Sequence, residues 1–156
     1  MAKSESSTFV YVTYIRTTPQ KLWSALTDPE QMRDYWFDMR CESDWKPGSS
    51  WRLLFEDGRV ADSGEILEAD PPRLLAIKWR NHFKPELAEE GYSVCTMELE
   101  PVEDAVKLTV THSIDRKDSK LIHAVSGGWP SVLSNLKSLL ETGKIAYKRS
   151  KPAAAA

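Results

Sequence analysis

The feature that most constrains the fold is a change of hydrophobic period along the chain. Over most of the stretch from residue 51 to residue 114, apolar and polar side chains alternate, which is the period of half-buried strands. From residue 129 to residue 140 the apolar side chains instead recur every three or four positions, which is the period of an amphipathic helix. Strands joined by short turns form an antiparallel sheet, and a long helix is its natural cover.

The order of predicted elements runs from one strand through two short helices to a block of strands. Thr18-Pro19 predicts the start of the first helix, and Asp28-Pro29 ends it and begins a second over residues 30–35. Asp57-Gly58 predicts a tight hairpin turn of type I′. The predicted strands cover residues 9–16, 51–56, 60–68, 74–80, 92–100 and 105–114, with a polar loop between residues 81 and 91.

The final helix carries a broad apolar stripe. Pro130 suits its first turn and Gly143 suits its C-terminal end, so the helix is predicted between these residues. Gly127-Gly128 precedes it and is open to two interpretations: a hinge that gates a cavity, or glycines that end one helical turn before proline starts the next. The stripe consists of Trp129, Val132, Leu133, Leu136, Leu139 and Leu140.

Charge and length indicate one domain that neither binds nucleic acid nor spans a membrane. The 156 residues carry 21 Lys and Arg against 23 Asp and Glu, so the basic excess of a nucleic-acid-binding protein is absent. No apolar run reaches membrane-spanning length, and the polar N-terminus is not a signal peptide. Cys41 and Cys95 are expected to be free thiols in a reducing, cytoplasmic compartment. We predict a disordered segment 1–8, a single domain 9–143 and a basic, alanine-rich tail 144–156.

Large apolar side chains share the predicted inner face of the sheet, and the chain has six tryptophans. These residues either fill a core or line a pocket, because both are built from the same residue types. If they line a pocket, a volume of about 300–1,000 Å³ is expected between sheet and helix. The candidate ligand-binding residues are Trp51, Leu53, Phe55, Leu75, Ile77, Trp79, Met97, His112, Trp129 and Leu133.

Catalytic and metal-binding signals are weak. The sequence has none of the common phosphate-binding, nucleophile-elbow or zinc motifs, and its histidines share no ligand spacing. His112 is in phase with an apolar strand face, where it is either a ligand-polarising group or a satisfied structural histidine. His82 lies at the start of the polar loop, and Asp62 and one of two strand tyrosines are further polar candidates. We assign no catalytic residue, metal or cofactor.

Three segments carry a resemblance to a known family. They are YIRTTPQKLWSALTDPEQMRDYW (14–36), the strand block around WRLLFEDGRVADSGEILEADPPRLLAIKW, and GGWPSVLSNLKSLLETG (127–143). The chain resembles the START/Bet v 1-like (SRPBCC) superfamily, and within it the family related to the activator of heat-shock protein 90 ATPase. The resemblance implies an α+β helix-grip fold, in which a curved antiparallel sheet wraps around a long C-terminal helix and two short helices follow the first strand.

The resemblance implies three functions. Superfamily members bind hydrophobic molecules such as lipids or polyketides under the long helix, and we take an apolar ligand of this kind as the main hypothesis. The alternatives are a chaperone-interacting stress protein, which the family name suggests, and a cyclase or hydrolase that acts inside the cavity. The known activators pair this domain with a separate N-terminal one, for which this sequence has no room. Dimerisation through an exposed strand edge or through the helix stays open.

Overall fold

The computed structural model describes residues 6–148 and confirms the predicted helix-grip α+β fold. A curved sheet of seven antiparallel strands, in the order β1-β7-β6-β5-β4-β3-β2, packs its inner face against one long helix. The strands are β1 (Ser7–Ile15), β2 (Arg40–Ser43), β3 (Ser50–Leu54), β4 (Val60–Asp70), β5 (Leu74–Asn81), β6 (Ser93–Val102) and β7 (Ala105–Ile114). The helices are α1 (Pro19–Thr27), α2 (Pro29–Tyr35), α3 (Pro85–Ala88) and α4 (Lys120–Thr142).

The two short helices begin where their caps predict. The Thr18 side chain accepts from the backbone N–H of Lys21 at 3.2 Å, and the Asp28 carboxylate accepts from that of Glu30 at 3.0 Å. Each cap is followed by a proline at the first helical position, where the missing N–H costs nothing. The elements β2 and α3 were not predicted from the sequence, because four residues are too few to show a period.

The turn between β3 and β4 lies at the predicted position but has a different geometry. Gly58 has a φ of +95°, whereas Asp57 is not among the residues with positive φ. The Gly58 N–H donates to the Phe55 carbonyl at 2.9 Å, and the Phe55 N–H donates to the Arg59 carbonyl at 2.9 Å. This is the pattern of a three-residue hairpin loop with one left-handed glycine, so the predicted type I′ turn was wrong.

Helix α4 is longer than predicted and runs without a break from Lys120 to Thr142. The prediction that it begins at Pro130 was wrong: Pro130 and the preceding pair of glycines lie inside the helix. Its actual start is capped twice, because the Ser119 hydroxyl accepts from the Ile122 N–H at 3.0 Å and the Glu90 carboxylate accepts from the Lys120 N–H at 2.8 Å. These caps and tertiary packing outweigh the low helix propensity of glycine, which costs only about 1 kcal/mol per residue.

A short segment after α4 folds back along the helix. The buried amide of Asn135 accepts from the backbone N–H groups of Ala146 and Tyr147 at 2.9 and 3.0 Å, and donates to the Tyr147 carbonyl at 2.9 Å. The Tyr147 hydroxyl reaches Ser131 at 2.6 Å, and its ring packs edge-on against Phe37. We call residues 144–148 the C-terminal strap; they belong to the predicted tail, whose residues 149–156 lie outside the described range.

The boundaries at the N-terminus also differ from the prediction. Strand β1 begins at Ser7, two residues before the predicted start, and residues 1–5 of the predicted disordered segment lie outside the described range. The Ser7 hydroxyl donates to the Arg116 carbonyl at 2.8 Å and accepts from the Ser119 N–H at 3.1 Å, which fixes this end of the strand. None of the helices between residues 6 and 148 is long and apolar enough to cross a membrane.

Candidate functional site

The candidate site is a narrow cavity between the inner face of the sheet, α2 and α4. It encloses about 10 Å³, close to the space that one water molecule needs. The predicted volume of about 300–1,000 Å³ is therefore not present, because aromatic side chains fill the space beneath the helix. The lining residues are Leu26, Tyr35, Trp36, Cys41, Trp45, Trp51, Ile77, Trp79, Met97, Trp129, Val132 and Leu133.

Four of the tryptophans form one aromatic cluster, with Trp79 of β5 in contact with the other three. The ring centroid of Trp79 lies 4.5 Å from that of Trp51, 5.8 Å from that of Trp129 and 6.4 Å from that of Trp36. Trp36 and Trp129 also contact each other at 5.5 Å. The angles between the ring planes range from 30° to 66°, so the cluster mixes stacked and edge-on packing, the arrangements that aromatic pairs prefer.

A relay of hydrogen bonds runs beside this cluster. The indole N–H of Trp129 donates to Nδ1 of His112 at 3.2 Å, and Nε2 of His112 lies 2.8 Å from the Ser93 hydroxyl. An indole can only donate, so Nδ1 is the acceptor and neutral His112 carries its proton on Nε2. His112 therefore donates to Ser93, whose hydroxyl donates in turn to the Trp79 carbonyl at 3.0 Å.

The direction of the relay decides what it can do chemically. His112 has no free lone pair toward Ser93, so it cannot take the Ser93 proton as a general base. Burial also lowers the pKa of His112 from 6.5 to about 4, which keeps it neutral at physiological pH. Of the two interpretations of His112, the geometry supports the satisfied structural histidine, which joins three strands to the long helix.

Asp62 of β4 is a buried carboxyl group next to the aromatic cluster. Its Oδ2 accepts from the Trp79 indole N–H at 2.7 Å and from the Asn81 amide at 3.4 Å. Burial raises the pKa of Asp62 from 3.8 to about 6, and these two hydrogen bonds offset only part of that rise. The carboxyl therefore changes its charge close to physiological pH while its position is held by neutral donors.

Trp51 of β3 supplies a polar group with no partner. Its side chain is fully buried, and its indole N–H has no hydrogen-bond acceptor. The Trp51 indole lies beside the Cys41 thiol: burial raises the pKa of this thiol well above its ordinary value, and the indole offsets part of the rise. Sulfur is a weak acceptor, so this contact leaves the donor unsatisfied.

The ten predicted ligand-binding residues separate into three groups in the structure. Six line the cavity: Trp51, Ile77, Trp79, Met97, Trp129 and Leu133. Leu53, Leu75 and His112 are buried around it without lining it. Phe55 lies beyond the end of β3, where it contacts Phe83 edge-on at 5.2 Å, because the register shift after Leu53 turns the strand away from the cavity. Phe55 therefore does not line this cavity.

Six lining residues were not predicted as ligand-binding, and one of them, Val132, belongs to the apolar stripe of α4. Leu26, Tyr35 and Trp36 come from α1, α2 and the residue that follows α2. Cys41 and Trp45 lie in and after the unpredicted strand β2. Tyr35 and Trp36 could have been predicted to line the cavity, because two large aromatic side chains at the end of a short helix must pack on a neighbouring element.

The remaining polar candidates lie elsewhere. His82 is exposed, and its Nε2 lies 2.5 Å from the Ser63 hydroxyl. Tyr11 is partly buried against the core and Tyr14 is half exposed, as the alternation of strand side chains requires. Within residues 6–148, no three His, Cys, Asp or Glu side chains are grouped so that they could hold a metal ion.

Fold and site together define a helix-grip domain whose long helix covers a tightly packed aromatic cavity. Solved structures share the fold. Protein MLL2253 from Mesorhizobium loti is 27% identical, with 86% of this chain and 96% of that chain covered at a TM-score of 0.73. The HSP90 activator PFC0360w from Plasmodium falciparum is 24% identical, with 85% and 95% covered at a TM-score of 0.70. DynU16, a protein in the dynemicin biosynthetic locus, is 21% identical, with 88% and 48% covered at a TM-score of 0.70.

The sequence itself identifies the family. Residues 16–141 match the family of activator of Hsp90 ATPase homolog 1-like proteins, and the chain belongs to this family. The match confirms the resemblance noted from the sequence and covers α1 through all but the last residue of α4. No curated protein matches the chain at a significant level.

Proposed function

We infer that the protein binds an apolar, planar small molecule of the lipid or polyketide type, with a hydrogen-bond acceptor, in the cavity beneath α4. The observation that carries this proposal is the buried indole N–H of Trp51, which lies at the cavity and has no acceptor. Leaving a buried donor unsatisfied costs about 1–3 kcal/mol. A carbonyl oxygen of the ligand at Trp51 Nε1 removes that cost, while the surrounding rings bury the rest of the ligand.

Binding requires the cavity to open, because its present volume excludes anything larger than water. Two lining side chains can move without disrupting the sheet or α4. Trp36 directly follows α2, and Trp45 lies in the connection between β2 and β3. Both side chains are partly exposed, whereas the other aromatic lining residues are buried. Rotation of these two rings toward solvent opens the aromatic cluster from the side of α2.

Two further observations support an apolar ligand over a charged one. The cavity lining contains no Lys, Arg, Asp or Glu side chain among the described residues. The nearby carboxyl of Asp62 is engaged by the Trp79 indole and the Asn81 amide, so it orients the cluster and is not directed at a ligand. A protein of the same fold, DynU16, lies in a biosynthetic locus.

The test uses the naphthyl ketone Prodan, whose emission reports both the polarity of its surroundings and a hydrogen bond to its carbonyl. We expect saturable binding with blue-shifted emission, and tighter binding to Trp36→Ala, which enlarges the cavity. Trp51→Phe removes the N–H while keeping an aromatic ring, so it is expected to weaken Prodan binding by about 2–10-fold, the worth of one net hydrogen bond. Binding of naphthalene, which has no acceptor, is expected to change less.

Trp23→Phe is the matched control, because Trp23 is a partly buried tryptophan of α1 that does not line the cavity. It is expected to leave Prodan binding unchanged. If neither the wild-type protein nor Trp36→Ala binds Prodan or naphthalene, cavity binding is contradicted. If both bind but Trp51→Phe affects the two probes equally, the role of the indole N–H is contradicted and only apolar binding stands.

Interaction with a chaperone is the second candidate, favoured by the family description and by the HSP90 activator that shares the fold. Under this function the protein stimulates the ATPase activity of heat-shock protein 90. The measurement is the ATPase rate of the chaperone with increasing amounts of this protein, with Trp36→Ala as a comparison. Stimulation that Trp36→Ala leaves unchanged would assign the function to a surface of the domain and not to the cavity.

A further inference from the structure

Strand β1 is an edge of the sheet with an open row of backbone groups. It pairs with β7 on one side, and no other strand within residues 6–148 pairs with its free side. At its C-terminal end this free side is engaged by α4: the Tyr14 carbonyl accepts from Lys137 Nζ, and the Arg16 N–H donates to the Glu141 carboxylate at 2.8 Å. Tyr14 and Arg16 are two residues apart, and the backbone groups of every second residue along a strand point to the same side.

The same alternation fixes the rest of the row. The backbone N–H and C=O groups of Thr8, Val10 and Val12 point to the same free side as those of Tyr14, because in an antiparallel strand both groups of every second residue face one neighbour. Their side chains are exposed on the outer face, by 54% for Val10 and 44% for Val12. Three consecutive pairs of donors and acceptors are thus presented beside exposed β-branched side chains.

Strand β2 forms the other edge of the sheet, and its short length and its charge keep it from pairing with another strand. Strand β2 has only four residues, and its Glu42 forms an ion pair with Arg52 of β3 at 2.5 Å. Strand β1 has nine residues, no charge, no proline and an uninterrupted register with β7. Natural sheets keep their edges from pairing by short length, charges, prolines or bulges, and β1 has none of these devices.

We propose that β1 is the interface for a second copy of this chain, which pairs with it antiparallel across a two-fold axis at Val10. In this register Val10 faces Val10 of the second copy and Thr8 faces Val12 of the second copy. Each pair exchanges two backbone hydrogen bonds. The register centres on Val10 because Lys137 occupies the next carbonyl of the row, at Tyr14, which leaves Thr8, Val10 and Val12 as the open segment.

The chemistry of the strand favours its own copy as the partner. In a two-fold pairing centred on Val10, a charge at residue 10 would meet a like charge, and a charge elsewhere in the strand would face an uncharged residue; Ser7–Ile15 has no charge. β-Branched side chains such as valine and threonine pack well across antiparallel pairs. The pairing joins two seven-stranded sheets into one. A single strand pair buries little area, so the dimer is expected to be weak and dependent on concentration.

The test uses opposite charges at the two-fold axis. Sedimentation velocity of the wild-type protein is expected to show a monomer that converts to a dimer as concentration rises. Val10→Lys and Val10→Glu each bring two like charges face to face and are expected to be monomeric at every concentration. An equimolar mixture of the two variants is expected to dimerise again, because Lys then faces Glu. Only an interface that places residue 10 against itself produces this pattern.

Leu67→Lys is the matched control, since Leu67 is an exposed apolar residue (40%) on β4, far along the sheet from β1. It is expected to dimerise like the wild type, and circular dichroism checks that all variants are folded. Hydrogen exchange adds a readout at the strand: the amides of Val10 and Val12 are expected to become protected as the dimer forms. A monomeric wild type, a mixture that stays monomeric, or dimers of Val10→Lys alone would each overturn the proposal.

Discussion

Trp129 in the middle of α4 donates its indole N–H to Nδ1 of His112 on β7 across 3.2 Å, and both side chains are buried. The long helix is thereby joined to the sheet by a directed polar bond as well as by apolar packing. Both ring nitrogens of His112 are used, because Nε2 meets the Ser93 hydroxyl at 2.8 Å. The pair sets the rotation of α4 about its axis, since only one helical face can present Trp129 to a fixed imidazole.

Replacing His112 by leucine is expected to destabilise the protein by about 2–4 kcal/mol. The substitution leaves the Trp129 indole N–H buried without an acceptor and breaks the relay to Ser93, and each unsatisfied buried group costs about 1–3 kcal/mol. Urea unfolding followed by tryptophan fluorescence measures the change. His82→Leu is the control, because His82 is exposed, and its effect is expected to stay within about 0.5 kcal/mol. Equal effects of the two substitutions would show that the relay contributes nothing.

Two buried groups with a pKa between 4 and 6, His112 and Asp62, give the stability an unusual dependence on pH. His112 has a pKa of about 4 in the folded protein against an ordinary 6.5, so the unfolded state binds more protons between these values and stability falls as the pH falls. Asp62 has a pKa of about 6 against an ordinary 3.8, so the folded state binds more protons and stability rises as the pH falls. Between pH 4 and 6 we expect the two effects to oppose each other.

Asp62→Asn separates these effects. The amide keeps the size of the carboxyl and can still accept from the Trp79 indole, but it cannot titrate. His112 is expected to lower the free energy of unfolding of the variant by about 3 kcal/mol from pH 6.5 towards pH 4, because Asp62 no longer offsets its contribution, while carboxylates with lowered pKa such as Glu90 and Glu141 act equally in both proteins. The wild-type protein is expected to change much less above pH 4.5. Equal slopes in urea unfolding at a series of pH values would contradict the assignment of these two shifts.

The architecture was predictable because its signals are local and repeated. The caps at Thr18 and Asp28, the alternation in the strands and the apolar stripe of α4 each indicate one element, and the order of elements leaves few topologies. The start of α4 was missed because its caps are tertiary: Glu90, which contributes the carboxylate at the helix start, lies 30 residues earlier in the sequence than Lys120. Local sequence rules instead predicted that the helix begins at Pro130, which in the structure lies inside α4.

The candidate site was only partly predictable for a related reason. Residues on the strands, such as Trp51 and Trp79, could be assigned to the inner face from their period. Trp36 and Trp45 lie at the end of a helix and in a connection, where no period indicates which way a side chain points. The size of the cavity depends on how the rings interlock, and a sequence pattern contains no information about that packing.

Gly64 on β4 is predicted to tolerate no side chain. A Cβ at this position would lie 1.7 Å from the carbonyl oxygen of Lys78 on the neighbouring strand, which is backbone and cannot rotate away. Gly64→Ala is therefore expected to cost at least about 3 kcal/mol or to prevent folding, as measured by thermal unfolding. Gly127→Ala is the control, because its Cβ meets no atom within 4 Å inside α4, and it is expected to stabilise the protein by about 1 kcal/mol.

The C-terminal strap is predicted to depend on Asn135. This side chain is fully buried within an amphipathic helix, and its described hydrogen bonds all go to the backbone of Ala146 and Tyr147. Asn135→Ala removes the three bonds together, so the strap is expected to detach and trypsin is expected to cleave after Lys144 and Lys148 several-fold faster than in the wild type. Ser138→Ala removes one bond, to the Lys144 carbonyl, and is expected to change the rate less. If both variants are cleaved at the wild-type rate, the packing of Ile145 on the core and of Tyr147 on Phe37 is sufficient to hold the strap.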